Sequence, residues 1–234
     1  MADKVNTSQA ARTAPAVNSP AAIRNVVLVG PSGAGKTTLI EALLVASGVL
    51  SRPGSVVDGT TVCDFDEAAI RQQRSVGLAV APVHHDGVKV NLIDSPGYAD
   101  FVGELRAGLR AADCALFVIA ANEGVDEPTK ALWHECDAVG MPRAVVITKL
   151  DHARANYVNA LQAAQDSFGE KVLPLYLPTG NGLVGLLSQN QYDYRDGTRV
   201  VHPPDDSYTA DLEEHRGSLI EGIIEESEDE SLME

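Results

Sequence analysis

A short apolar run, Asn25-Val26-Val27-Leu28-Val29, leads directly into Gly30-Pro31-Ser32-Gly33-Ala34-Gly35-Lys36-Thr37. The run is β-branched and brief, the signature of a buried strand. The residues after Lys36-Thr37, from Thr38 to Ala46, follow a helical pattern. Strand, glycine-rich turn and helix form the context that G-x-x-x-x-G-K-[ST] requires to cradle phosphates. Backbone N–H groups of Ser32, Gly33, Ala34, Gly35, Lys36 and Thr37 would wrap the phosphate chain, with Gly30 opening the turn and Thr38 continuing into the helix. The helix N-terminus adds partial positive charge behind them. Lys36 would reach the β and γ phosphates, and the Thr37 hydroxyl would hold Mg²⁺.

The remaining pattern alternates strands with helices. Strands are expected at Ala79–His84 and Val88–Ile93, joined by the hairpin signal Asp86-Gly87, and then at Cys114–Ala120, Arg143–Ile147 and Val172–Leu177. Helices are expected at Asp66–Gln73, Phe101–Ala111, Glu127–Val139 and Ala153–Phe168. This order predicts an α/β fold: a mostly parallel, mixed sheet with helices on both faces. Residues 1–22, rich in Ala, Ser, Asn and Pro, read as a mobile tail, and 23–178 as the main domain. After Pro178 the pattern changes to short strand-like pieces between Leu183 and Val201. An acidic helix follows from Thr209 to about Ser227, with Leu212, Leu219, Ile220, Ile223 and Ile224 on its apolar side. Residues 179–234 therefore read as a small α+β appendage.

The net charge of −15 is concentrated at the end: from Pro203 to Glu234 there are 12 acidic residues against the single Arg216. That argues against a broad nucleic-acid-binding face there and against sequence-specific DNA recognition. No apolar run approaches a membrane span, so no membrane partner is expected. Cys63, Cys114 and Cys136 are too few and scattered for a disulfide framework; they read as small buried thiols and suit a cytoplasmic setting.

Two further motifs sit at strand ends. Asp94-x-x-Gly97 lies 58 residues after Lys36. The carboxylate of Asp94 would hold Mg²⁺ through water, and the Gly97 N–H would meet the γ-phosphate. Thr148-Lys149-Leu150-Asp151 follows the last main strand, where such sheets bind ligands. The Asp151 carboxylate can accept from the paired N–H donors of guanine, which adenine lacks, and the Lys149 stem would lie over the base. Between Gly48 and Leu78 runs a long irregular stretch, in which Ser75 could close on the metal when the γ-phosphate is present. His84, His85 and His134 read as ordinary strand and surface residues, and Trp133 as packing.

These motifs, in this order, resemble those of translational GTPases, and most of all elongation factor G. Residues 30–38, Ile93-Asp94-Ser95-Pro96-Gly97-Tyr98-Ala99-Asp100-Phe101, Ala112-Asp113-Cys114-Ala115-Leu116, Thr129 to Pro142 and Leu177-Pro178-Thr179-Gly180 carry the likeness. It implies a P-loop GTPase fold whose appendage is the subdomain that elongation factor G inserts into its GTPase domain. It also implies binding of GTP or GDP with Mg²⁺, GTP hydrolysis, and a monomer acting on the large-subunit factor-binding site of the ribosome. The acidic helix 209–227 would meet the ribosomal stalk protein. The family's last guanine loop lies beyond the inserted subdomain, so the chain reads as an N-terminal portion of such a factor.

Three positions depart from the family pattern. Tyr98 stands where the family usually carries the histidine that positions the attacking water. A phenol cannot adopt an imidazole's protonation states at neutral pH, so slow hydrolysis is expected. Tyrosine here resembles the elongation-factor-G-like paralogues. Ser75 replaces the switch threonine, 19 residues before Asp94, and Thr148 replaces the first asparagine of the guanine motif. On this reading Lys36, Gly97 and Tyr98 bear on catalysis, and Thr37, Ser75 and Asp94 on the metal. Residues 30 and 32–38 with Gly97, Thr148, Lys149 and Asp151 hold the nucleotide. A non-hydrolysing ribosome regulator, a protein of the ribosomal-protection type and, against Asp151, a P-loop ATPase or kinase are the alternatives.

Overall fold

The computed structural model describes residue 17, residues 19–195 and residues 198–227. The tail expected over residues 1–22 thus falls largely outside them; Pro20–Ala22 form one 3₁₀ turn capped by the Ser19 side chain. The chain divides into two compact units, with the break between Ser167 and Phe168.

The first unit is built on a five-stranded sheet. Its strands are β1 (Ile23–Val29), β2 (Ala79–His85), β3 (Val88–Asp94), β4 (Cys114–Ala120) and β5 (Arg143–Thr148), in the order β2-β3-β1-β4-β5. All pairs are parallel except the β2–β3 hairpin. That hairpin turns through Asp86 at φ 47° and Gly87 at φ 80°, the left-handed pair that a two-residue type I′ turn demands. Val27, Leu28 and Val29, together with Phe117, Val118 and Ile119, are completely buried. These continuous apolar runs are what a sheet covered on both faces requires.

Among the described residues five helices accompany the sheet: α1 (Lys36–Ala46), α2 (Glu67–Gln72), α3 (Val102–Ala111), α4 (Glu127–Ala138) and α5 (Tyr157–Phe168). Ile40 and Leu44 of α1 join Leu28, Ala81, Leu92 and Val118 in one core. On the other face, α3 comes so close at Gly108 that a Cβ there would sit 3.2 Å from Val27. Trp133 of α4 meets Phe117 edge-on at 4.9 Å between ring centres. Each such fully buried side chain contributes about 1.5–3 kcal/mol. His134 is exposed beside Trp133, as expected.

The second unit carries an antiparallel sheet, β6 (Tyr176–Pro178), β7 (Gly182–Gly185), β8 (Asn190–Arg195) and β9 (Thr198–His202), and the helix α6 (Thr209–Ser227). Residues 196 and 197, between two of the expected strand-like pieces, lie outside the described residues.

Four expectations need correction. The helix expected from Ala153 begins at Tyr157, because Asn156 caps it by accepting from the Asn159 N–H. The strand expected over 172–177 is confined to Tyr176–Pro178, the only stretch of it that pairs with β7. Of the apolar residues of α6, Leu212 and Leu219 are buried, whereas Ile223 is 39 % exposed. Cys114 is half-buried, unlike Cys63 and Cys136.

Candidate phosphate and metal site

Gly30 ends β1 with a Cβ position only 2.1 Å from the Val118 carbonyl, which leaves room for no side chain. Ser32, Gly33 and Ala34 form the turn, closed by Ala34 N–H donating to the Pro31 carbonyl at 3.2 Å. Gly35 caps α1 at φ 94°, and Lys36, Thr37 and Thr38 make its first turn. Lys36 is buried, and its Nζ donates to the carbonyls of Gly30 at 2.8 Å and Pro31 at 3.0 Å. The ammonium thus lies across the mouth of the loop. Burial lowers its pKa, while the charges of Asp94 and Asp126 oppose that fall.

The other loops converge on this turn. Thr37 Oγ1 donates to Asp94 Oδ2 at 2.6 Å and lies 3.3 Å from Ser75 Oγ. Asp94 is 1 % exposed, and its Oδ1 has no hydrogen-bond partner among the described residues. Burial pushes Asp94 up to about 6, against the pull of the Thr37 hydrogen bond and the Lys36 charge. A buried carboxylate oxygen without a partner, with two hydroxyls beside it, is a hard oxygen set that suits Mg²⁺. Among the described residues no group of three or more His, Cys, Asp or Glu is placed to hold a metal ion. Gly97 closes the arrangement: Ser32 N–H donates to its carbonyl at 3.2 Å. A Cβ on Gly97 would lie 2.4 Å from Ser32 N and 2.6 Å from Lys36 Nζ.

Tyr98, next in sequence, is 41 % exposed. The Arg74 guanidinium lies over its ring at 4.5 Å from the centroid. Hydrogen bonding from Ser32 and then Arg74 draws the phenol below its ordinary pKa.

The guanine-motif residues stand at the end of β5. The Thr148 hydroxyl donates to the Ala34 carbonyl at 2.6 Å, with the Ile119 carbonyl 3.1 Å away. It ties this loop to the phosphate turn. Lys149 takes φ 56° and pairs with Glu123 at 3.4 Å. Asp151 is exposed in the following turn. A cleft of about 720 Å³ lies elsewhere, between α3 and α4, and none of the predicted site residues lines it.

Two residues escaped the sequence reading. Glu41 of α1 is fully buried, and its oxygens accept from the backbone N–H groups of Gly54 at 2.7 Å and Val62 at 2.6 Å. It fastens the long irregular stretch onto the helix that carries Lys36 and Thr37. A glutamate inside an apolar helical stripe was the available signal. Asp64 is 4 % exposed, and its charge helps raise the pKa of Asp94.

Comparison with known proteins gives the family. The family described as the elongation factor Tu GTP binding domain matches residues 21–227. The chain belongs to that family. An "Elongation factor G-like protein" from Mycobacterium tuberculosis H37Rv is 77% identical over 234 residues, covering 100% of this chain and 33% of the relative. Elongation factor G of Chlamydia trachomatis serovar D is 30% identical over 210 residues, 88% of this chain and 30% of that protein. A crystal structure of a Thermus thermophilus protein superposes with a TM-score of 0.84 at 38% identity, over 91% of this chain and 32% of the other. The chain therefore spans about a third of the length of these relatives. Membership in the elongation factor Tu GTP-binding family makes this a GTP-binding domain of the translational GTPase type.

Proposed function

We propose that this domain binds GTP and GDP with Mg²⁺ and hydrolyses GTP slowly, as part of a ribosome-associated translation factor. The observation that carries the reading is the convergence of Thr37, Ser75 and the unpartnered Oδ1 of Asp94 beside Lys36. Residues 30 and 32–38 hold the phosphates. A bound Mg²⁺ would supply positive charge that offsets the charge of the phosphates. Thr37 and Ser75 would hold it by their hydroxyls, and Asp94 through water. Lys36 neutralises charge on the transferring phosphoryl group. The Gly97 N–H serves the terminal phosphate, at a position where a side chain would collide with the loop. Asp151 selects guanine, with the Lys149 stem over the base and Thr148 setting the loop against Ala34.

Tyr98 favours a second reading, a GTP-dependent regulator that does not turn over. The phenol stacks under Arg74 and offers no imidazole to orient water. The test is ribosome-stimulated GTP turnover of the full-length protein and of Tyr98→His. Turnover equal to that of a histidine-bearing elongation factor G would overturn slow hydrolysis. Turnover restored only by histidine would support the disabled switch. Displacement of labelled GTP by ATP as effectively as by GTP would overturn the guanine assignment and return the ATPase reading.

The relatives' names support a ribosomal role. The acidic α6 is the proposed contact for the stalk protein, and the factor is proposed to act as a cytoplasmic monomer. Salt-sensitive binding to the isolated stalk domain is the expected outcome, and no binding at low salt would remove that contact.

A further inference from the structure

Tyr98 has a second aspect besides its failure to replace histidine: it is a platform for a cation. Arg74 stacks on its ring at 4.5 Å. The chain brings both residues to the phosphate turn independently. Arg74 precedes Ser75, whose hydroxyl lies 3.3 Å from Thr37. Tyr98 follows Gly97, whose carbonyl accepts from Ser32 N–H and whose Cα faces Lys36 Nζ.

Arg74 also donates from Nε to Gln72 Oε1 at 2.8 Å, and among the described residues no carboxylate pairs with it. Stacking occupies the flat face of a guanidinium, and Gln72 and the Tyr98 phenol take only part of its in-plane N–H donors, so others remain to meet an anion. Those donors have the fork geometry that matches phosphate oxygens. A cation held at this turn, with no carboxylate to neutralise it, is suited to an additional anionic charge.

We propose that Arg74, held on the Tyr98 ring, is a positioning residue that reads the terminal phosphate and so sets the preference for a nucleoside triphosphate over a diphosphate. This rests on the nucleotide binding proposed for residues 30 and 32–38. It gives position 98 a reason to be aromatic and neutral. A protonated imidazole there would repel the guanidinium, and a phenol at neutral pH does not. The ring face and the phenol oxygen, which accepts from Arg74, hold the arginine together.

The experiment measures Kd for fluorescent GTP and GDP analogues with the full chain in excess Mg²⁺ at pH 7. Arg74→Ala and Tyr98→Leu should each weaken the triphosphate by about ten-fold or more, with the diphosphate changed by less than about two-fold. Tyr98→Phe, which keeps the ring face and loses the hydrogen bond from Arg74, should fall between wild type and Tyr98→Leu. Arg74→Lys should fall between, since it keeps the charge and loses the fork. The Arg74→Ala/Tyr98→Leu double variant should be no worse than the weaker single variant, because both remove one device. Parallel loss of both nucleotides, or additive losses in the double variant, would overturn the inference while leaving the nucleotide site standing. A wild-type chain that binds neither nucleotide would overturn the site reading, and this inference with it.

Discussion

Replacing Glu41 tests whether the long stretch before β2 is held by one buried side chain. Its two carboxylate oxygens accept from Gly54 N–H at 2.7 Å and Val62 N–H at 2.6 Å, and the side chain is fully buried. Hydrogen bonds to a charged acceptor contribute about 1.5–3 kcal/mol each, so losing both costs about 3–6 kcal/mol. Removing a buried charge recovers part of that, and the net expectation for Glu41→Ala is about 3–5 kcal/mol of destabilisation. Glu41→Gln keeps one good acceptor and sets an amide donor against the other N–H, for about 1–3 kcal/mol. Urea unfolding of the full chain gives both numbers. Amide hydrogen exchange locates them: Gly54 and Val62 should lose protection first. A cost below about 1 kcal/mol for Glu41→Ala, with both amides still protected, would refute the assignment of Glu41 as the fastener of this stretch.

Gly97→Ala places a methyl 2.4 Å from Ser32 N. Backbone cannot yield there cheaply, so nucleotide affinity should fall by about ten-fold, or about 1.4 kcal/mol, which lies within the usual cost of overpacking, and unchanged binding of a fluorescent GTP analogue would count against the close approach. Asp94→Asn removes a buried charge whose pKa stands at about 6. Thermal unfolding of the nucleotide-free variant should show equal or greater stability, while the gain in nucleotide affinity on adding Mg²⁺ should shrink. In the second unit, the Pro203 carbonyl and then Asp193 raise the pKa of His202 above the ordinary 6.5. The stability from that pairing is full below 6.5 and lost as pH rises through the higher folded value. NMR titration of the His202 ring should show the raised value in wild type and a return toward the ordinary one in Asp193→Asn.

The strands of the first unit were legible because both faces of the sheet are covered, so β1, β4 and β5 read as apolar runs. The phosphate turn was legible because its glycines and Lys36 must occur at fixed spacing. What pattern could not show was partnership across distance. Nothing in the order of residues says that Glu41 reaches Val62, that Thr148 reaches Ala34, or that Arg74 lies on Tyr98. Short strands fared worst: three residues of β6 do not establish an alternation, and only the pairing with β7 defines them. Helix α5 was overextended because Ala153 to Asn156 carry residues compatible with a helix, and the capping bond of Asn156 decides where it starts.

The two borders of the main sheet are unequal. Strand β2 is an edge that contains Pro82 and ends in His84 and His85. A proline there removes an N–H from the border, and such edges resist further pairing. Strand β5 is the opposite edge, and its half-buried Val145, Val146 and Ile147 include no proline. Exposed N–H and C=O groups beside a β-branched run form a template for another strand. A strand added to this sheet would pair at β5 rather than at β2.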